Sequence, residues 1–188
     1  MVVWPRNFTF RGLAVRLRPF LALVVLAGAA AVASPALTPQ DVASSIARSG
    51  ARTTLDRIYK DETQWVALLS GIAAGEPVWL NLAKQLRRVS DGGATEQIEL
   101  AAGEALEHRP ADVLSLVADE FGIAGICGGP DVDDPRFDSY DLSMAAILRR
   151  QEMLRAIRDP SLIRKRDACM LELDKAKADF AHFYGRGA

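Results

Sequence analysis

The chain is poor in the residues that carry chemistry. Of its 188 residues two are cysteine (Cys127 and Cys169), two are histidine (His108 and His182) and 7% are aromatic. No G-x-S-x-G, H-E-x-x-H or P-loop pattern occurs, and neither histidine has a neighbour at the spacing of a nucleophile pair or a metal set. The residues therefore point to no catalytic group, no metal site and no cofactor. Sustained alternation of β-branched and polar residues is missing too, which excludes half-buried strands and predicts an all-α fold. Acidic residues are missing from the start of the chain, the first being Asp41.

That acid-free start has a purpose of its own. Arg6, Arg11, Arg16 and Arg18 precede the uncharged run "LALVVLAGAAAVA" at 21–33, which closes on Ala31-Val32-Ala33. A basic region, a short apolar run and an A-x-A site read as an export signal over 1–33, cleaved after Ala33 or, failing that, after Ala36. As a helix the run spans about 20 Å, short of the ~30 Å hydrocarbon core of a bilayer. A retained anchor is the alternative reading. Removing the leader leaves nineteen basic against 24 acidic residues, a net charge of −5. That balance argues against nucleic acid as a partner, and with the leader gone nothing predicts stable membrane insertion. An exported chain meets an oxidising compartment, so Cys127 and Cys169 are expected to form a disulfide; separate thiols are the other option.

What is abundant is helical punctuation. "LTPQDVASSIARSG" sets Thr38 as a cap before Pro39 and closes on Gly50. A run over 53–74 carries Leu55, Ile58, Trp65, Leu68 and Ile72, with a break expected near Lys60-Asp61. Pro77 starts a helix with Trp79, Leu82, Ala83 and Leu86 on one face. Ile98, Ala101, Ala102, Ala105 and Leu106 follow on the next, and Pro110 opens another that stops at Gly122. Residues 34–188 thus read as one helical domain: a short-helix part over 37–122, a Gly/Asp-rich loop over 123–138, and an antiparallel C-terminal hairpin over 139–184. Its helices, joined at Asp159-Pro160, are expected at 139–158 and 160–184. The whole is a compact bundle of six or seven helices. Cys169 lies on a stripe with Leu162, Leu173, Ala176, Phe180 and Phe183, so a bond to Cys127 would pin the loop to the hairpin.

Three stretches invite a functional reading. In "DGGATEQIEL" (91–100) paired glycines run into a helix beside Arg87 and Arg88, which could cradle an anion. Glu96 and Glu99, however, already satisfy the helix dipole, and a helix–helix turn is the expected reading. The loop "GPDVDDPRFDSYD" holds Asp131, Asp133, Asp134, Asp138 and Asp141, but a calcium-loop register from Asp131 puts Pro135 and Arg136 where such loops do not tolerate them. Arg149, Arg150, Arg155, Arg158, Arg164, Lys165 and Arg166 gather near the hairpin tip as a basic patch or a solvated face. Glu104 and Glu107 read as routine surface carboxylates. Trp65 and Trp79 are expected where two middle helices meet, as core or as the lining of a ligand pocket.

The stretch "WLNLAKQLRRVSDGGATEQIELAAGEALEHRPADVL" (79–114), with Cys127 in a Gly-rich turn and "RKRDACMLEL" further on, resembles a recurrent kind of small exported helical bacterial protein. The resemblance implies an envelope location and an α-helical fold; the group has no assigned activity, and no functional residues carry over from it. Together these readings predict a non-enzymatic periplasmic protein that acts by binding another envelope protein. Its contact surfaces would be the basic tip (Arg155, Arg158, Arg164, Arg166) and the acidic loop (Asp131, Asp133, Asp134). An immunity-type inhibitor of an envelope toxin and a small-ligand binder using Trp65 and Trp79 are the alternatives.

Overall fold

The computed structural model describes residues 37–186, and the leader expected over 1–33 lies outside them. Among the described residues there are ten α-helices, two short 3-10 turns and no strand. The fold is all-α, built from more and shorter helices than the six or seven expected.

Helix α1 (Pro39–Ser49) starts on a reciprocal cap. Thr38 Oγ accepts from the Asp41 amide at 3.2 Å, and the Thr38 amide donates to the Asp41 carboxylate at 3.0 Å. Gly50, at φ +81°, turns the chain into α2 (Ala51–Tyr59). The expected break follows: Asp61 accepts from the Gln64 amide at 3.1 Å and starts α3 (Glu62–Ala73). Proline opens α4 (Pro77–Arg87), and α5 spans Gly92–Glu104. Beyond a 3-10 turn at Ala105–Glu107 come α6 (Pro110–Leu116), α7 (Ala118–Phe121) and α8 (Ile123–Cys127). A second 3-10 turn at Pro135–Phe137 leads into α9 (Tyr140–Arg155), and α10 (Ile163–Phe183) completes the antiparallel C-terminal hairpin.

Two boundaries and the packing of one residue differ from expectation. Residues 123–127, assigned to the loop, form α8 because Ile126 and Cys127 are drawn into the core between the breaks at Gly122 and Gly128. Pro160 does not open the last helix. Asp159 caps a tight turn by accepting from the Ser161 amide at 2.9 Å, and α10 starts after Leu162. Phe183 shares the side of α10 that carries Cys169, Leu173, Ala176 and Phe180, but it is the last residue of the helix and is 66% exposed rather than packed with them.

One apolar core runs through the domain, from Leu68, Ile72 and Leu86 through Ile98 and Leu106 to Ile147 and Leu173. Cys127 and Cys169 are fully buried within it and disulfide-bonded, with Cα atoms 5.3 Å apart. The tryptophans anchor the neighbourhood of α3. Trp65 Nε1 donates to Gln97 Oε1 at 2.6 Å, with the Tyr59 ring edge-on at 4.8 Å. The Trp79 indole lies against bare backbone at Gly71, where a Cβ would come within 2.5 Å of Cε2. Gly71→Ala is therefore expected to force the indole out of place and cost about 1–3 kcal/mol. A urea midpoint unchanged by the substitution would show that the contact is loose.

Candidate functional site

The glycine pair at the head of α5 is a turn. Gly92, at φ +47°, makes the bend, and Ser90 Oγ lies 2.7 Å from Thr95 Oγ1 across it. Both nearby arginines are turned to carboxylates of this chain. Arg87 Nε donates to Glu99 at 2.6 Å, and an Arg88 Nη lies 2.9 Å from Glu120. Asp91, beside the glycines, pairs with Arg52 at 3.2 Å.

Part of the basic cluster is paired or buried on folding. Lys165 donates to the Leu114 carbonyl at 3.2 Å and to Asp119 at 2.7 Å. Arg166 reaches the Ile157 carbonyl at 3.1 Å and pairs with Asp167 at 2.7 Å. Arg158 donates to the carbonyls of Arg155 and Ile157, closing the hairpin end. Of the expected tip, Arg155, Arg158 and Arg164 are exposed with no ion pair among the described residues, and Arg166 alone is paired. Arg150, placed with the surface arginines from sequence, is instead 1% exposed on the core face of α9, and its Nε reaches Glu107 at 3.3 Å. Burial pushes its pKa down, with Glu107 and Glu104 opposing.

The acidic loop lies at the other end of α9. Sixteen helical residues separate the two, about 24 Å, so loop and tip do not form one surface. Asp131 accepts from the Asp133 amide at 2.9 Å, and Asp134 caps the turn at Pro135–Phe137 through the Arg136 amide at 2.8 Å. Among the described residues no three of His, Cys, Asp or Glu gather closely enough to hold a metal ion.

Arg136 organises this end of the molecule. Its Nη atoms grip Glu104 at 3.0 and 2.8 Å, while its Nε lies 2.9 Å from Asp134 Oδ2. These bonds hold the Asp134 carboxyl below the usual aspartate range and raise the Arg136 guanidinium. Glu107, one helical turn beyond Glu104, binds Arg149 at 2.8 Å as well as Arg150. The charges therefore alternate in space, from Asp134 through Arg136, Glu104, Arg150 and Glu107 to Arg149, tying the loop and the end of α5 to α9.

Beside this ladder lies a cleft of about 630 Å³ between α3 and α5. It is lined by the aliphatic side chains of Val66, Leu69 and Leu100 and by the small residues Ser70, Ala73, Ala74 and Ala101. Glu104, Asp131, Asp134, Arg136 and His108 form its polar end. A second hollow of about 370 Å³ shares Leu100 and Asp131 with the first and adds Glu96, Glu99 and the Gly128-Gly129-Pro130 turn. Neither tryptophan is among the residues lining either hollow. Two of the acidic-loop residues, Asp131 and Asp134, thus reach a cavity, whereas Asp133 is exposed beside it and the four tip arginines take no part.

The cleft is not legible in the sequence because its lining comes from two helices whose pairing is not written in either. The sequence reading missed Glu104 and Glu107 because their partners are 32 and 42 residues away. One signal was present. Ser143, Ala146, Ile147, Arg150 and Leu154 recur at helical steps, which puts Arg150 on the buried stripe of α9.

In comparison with known proteins, no family model, curated protein or solved structure matches this chain.

Proposed function

We propose that this is a non-enzymatic, exported helical protein that binds another protein of the envelope through the cleft between α3 and α5. The observation that carries the reading is the composition of that cleft. Apolar walls centred on a Val66 that is 55% exposed end in a set of carboxylates, on a scaffold tied together by a buried disulfide. Exposed apolar surface rimmed by polar residues marks protein-docking and ligand-binding sites. The disulfide supports an oxidising destination, as does the basic-apolar leader. Among the described residues no helix is long and apolar enough to cross a membrane.

Site-specific photo-cross-linking in living cells tests this. A photoreactive amino acid at Val66 or Leu100 is expected to give a discrete protein adduct. The same probe at Leu171, which is 58% exposed on α10, is expected to give none. Equal labelling at all three positions, or none in the cleft, would overturn the reading. An immunity-type inhibitor is one form of it, with a toxin as the adduct. A small-ligand role is favoured by one observation: the cleft volume of about 630 Å³ falls in the range of ~300–1,000 Å³ typical of ligand sites. A ligand-bound site would shield Val66 without any protein adduct.

A further inference from the structure

We infer that the occupant of this cleft is a cationic, amphipathic segment of the partner, and that Arg136 holds its acidic end until a basic residue of that segment replaces it. The inference rests on the protein-binding reading above and adds the chemistry of the partner.

Charge complementarity carries it. Along the two joined hollows the lining presents five carboxylates, from Glu96, Glu99, Glu104, Asp131 and Asp134, against one guanidinium, that of Arg136. Glu99 is engaged by Arg87, while Glu96 and Asp131 make no ion pair among the described residues. An anionic occupant would meet this field unfavourably, and an uncharged one would strip water from carboxylates without replacing it. A bare divalent cation needs converging oxygens, and these are spread out: Glu96 and Glu104 are eight residues apart on one helix, about 12 Å. Spread carboxylates over an apolar wall suit spaced lysines or arginines on a segment that also offers aliphatic side chains to Val66, Leu69 and Leu100.

The structure shows what such a basic group would meet. Arg136 is itself a guanidinium bound bidentately to Glu104 and again to Asp134. It is held from a three-residue 3-10 turn, its side chain is 61% exposed, and it stacks over Phe137 at 5.3 Å. Exchange for an incoming guanidinium leaves both carboxylates satisfied, and the displaced Arg136 swings into water. The swap is therefore close to neutral for the ion pairs, and burial of the apolar face supplies the driving force.

The test is fluorescence anisotropy on the purified protein with a labelled synthetic helix, leucine along one face and arginine along the other. Its counterpart carries glutamate in place of arginine. The arginine helix is expected to bind and the glutamate helix not. Glu104→Gln is expected to weaken binding about tenfold or more, because a charge-assisted pair is lost. Arg136→Ala is expected to tighten it about threefold, because a competitor is removed. Arg136→Gln, which keeps a polar chain over Phe137, is expected to act in the same direction, with circular dichroism confirming the fold of each variant. Glu172→Gln on α10 controls for general attraction and is expected to change nothing.

The opposite signs at Glu104 and Arg136 are decisive. If Arg136→Ala weakened binding, if the glutamate helix bound equally, or if Glu172→Gln mattered as much as Glu104→Gln, the inference would fall. Saturable calcium binding that blocked the helix would replace it with a cation site. Cross-links at Val66 together with a helix that does not bind would retain the docking site and remove the cationic occupant.

Discussion

Removing the Cys127–Cys169 bond is expected to cost this protein about 4 kcal/mol, the chain-entropy value for a closed loop of this length. The sequence separation is 42 residues, and the bond cross-links α8 to the N-terminal third of α10. For a domain of this size the loss corresponds to a melting temperature lower by about 8–16 °C. The variant that isolates the effect is Cys127→Ala with Cys169→Ala, since both sulfurs are fully buried and serine would add unpaired hydroxyls to the core. The loss should also be local. Helix α8 has five residues, too few to hold themselves, so its position depends on Ile126, on Cys127 and on the bond. With the bond gone, amide exchange is expected to rise first over residues 123–134, the segment that borders the second hollow and carries Asp131 and Asp134. Equal melting curves for the oxidised protein and the double variant would show that packing alone fixes α8. The disulfide would then be a passenger.

The helical character of this chain was legible because several helices announce their own start. Thr38 with Pro39, Asp61, Pro77 and Pro110 all act within one turn of themselves, and the structure uses each where the sequence places it. Asp159-Pro160 looked the same and was not used, because Asp159 spends its carboxylate on the Ser161 amide and hydroxyl, leaving α10 to begin after Leu162. The disulfide was legible because only one pairing of two cysteines exists. The site was another matter. Asp131 and Asp134 could be picked out as a dense acidic run, yet nothing local says that Asp134 shares a guanidinium with Glu104, 30 residues earlier. The longer basic run around the tip is divided for the same reason in reverse. Arg149, Arg150, Lys165 and Arg166 look like a patch only while Glu107, Asp119 and Asp167 are unplaced. Charge runs show composition, whereas ion pairs depend on which helices meet.

Arg150 gives the sharpest case, because its two obvious substitutions are expected to move stability in opposite directions. The side chain is the bulkiest among the fully buried ones, and both terminal nitrogens lack a hydrogen-bond partner. What compensates the charge is Glu107, itself 14% exposed and shared with Arg149, with Glu104 nearby but occupied by Arg136. Glu107→Ala therefore leaves a buried cation without its main counter-charge, and the expected cost is about 3–5 kcal/mol. Arg150→Met removes the cation, fills a similar volume with apolar atoms and leaves Glu107 paired with Arg149. The expected change is neutral to stabilising by up to about 4 kcal/mol. Placing Arg150→Met on top of Glu107→Ala should then recover most of the loss, since the stranded charge is gone. Urea midpoints of the three proteins against the parent decide it. If Arg150→Met cost as much as Glu107→Ala, the terminal nitrogens would have to be satisfied, for example by buried water, and the ladder from Asp134 to Arg149 would be a net source of stability. The opposite signs would mean that Arg150 is held in place by the helices around it, at the expense of stability, and that Glu107 exists to keep it tolerable.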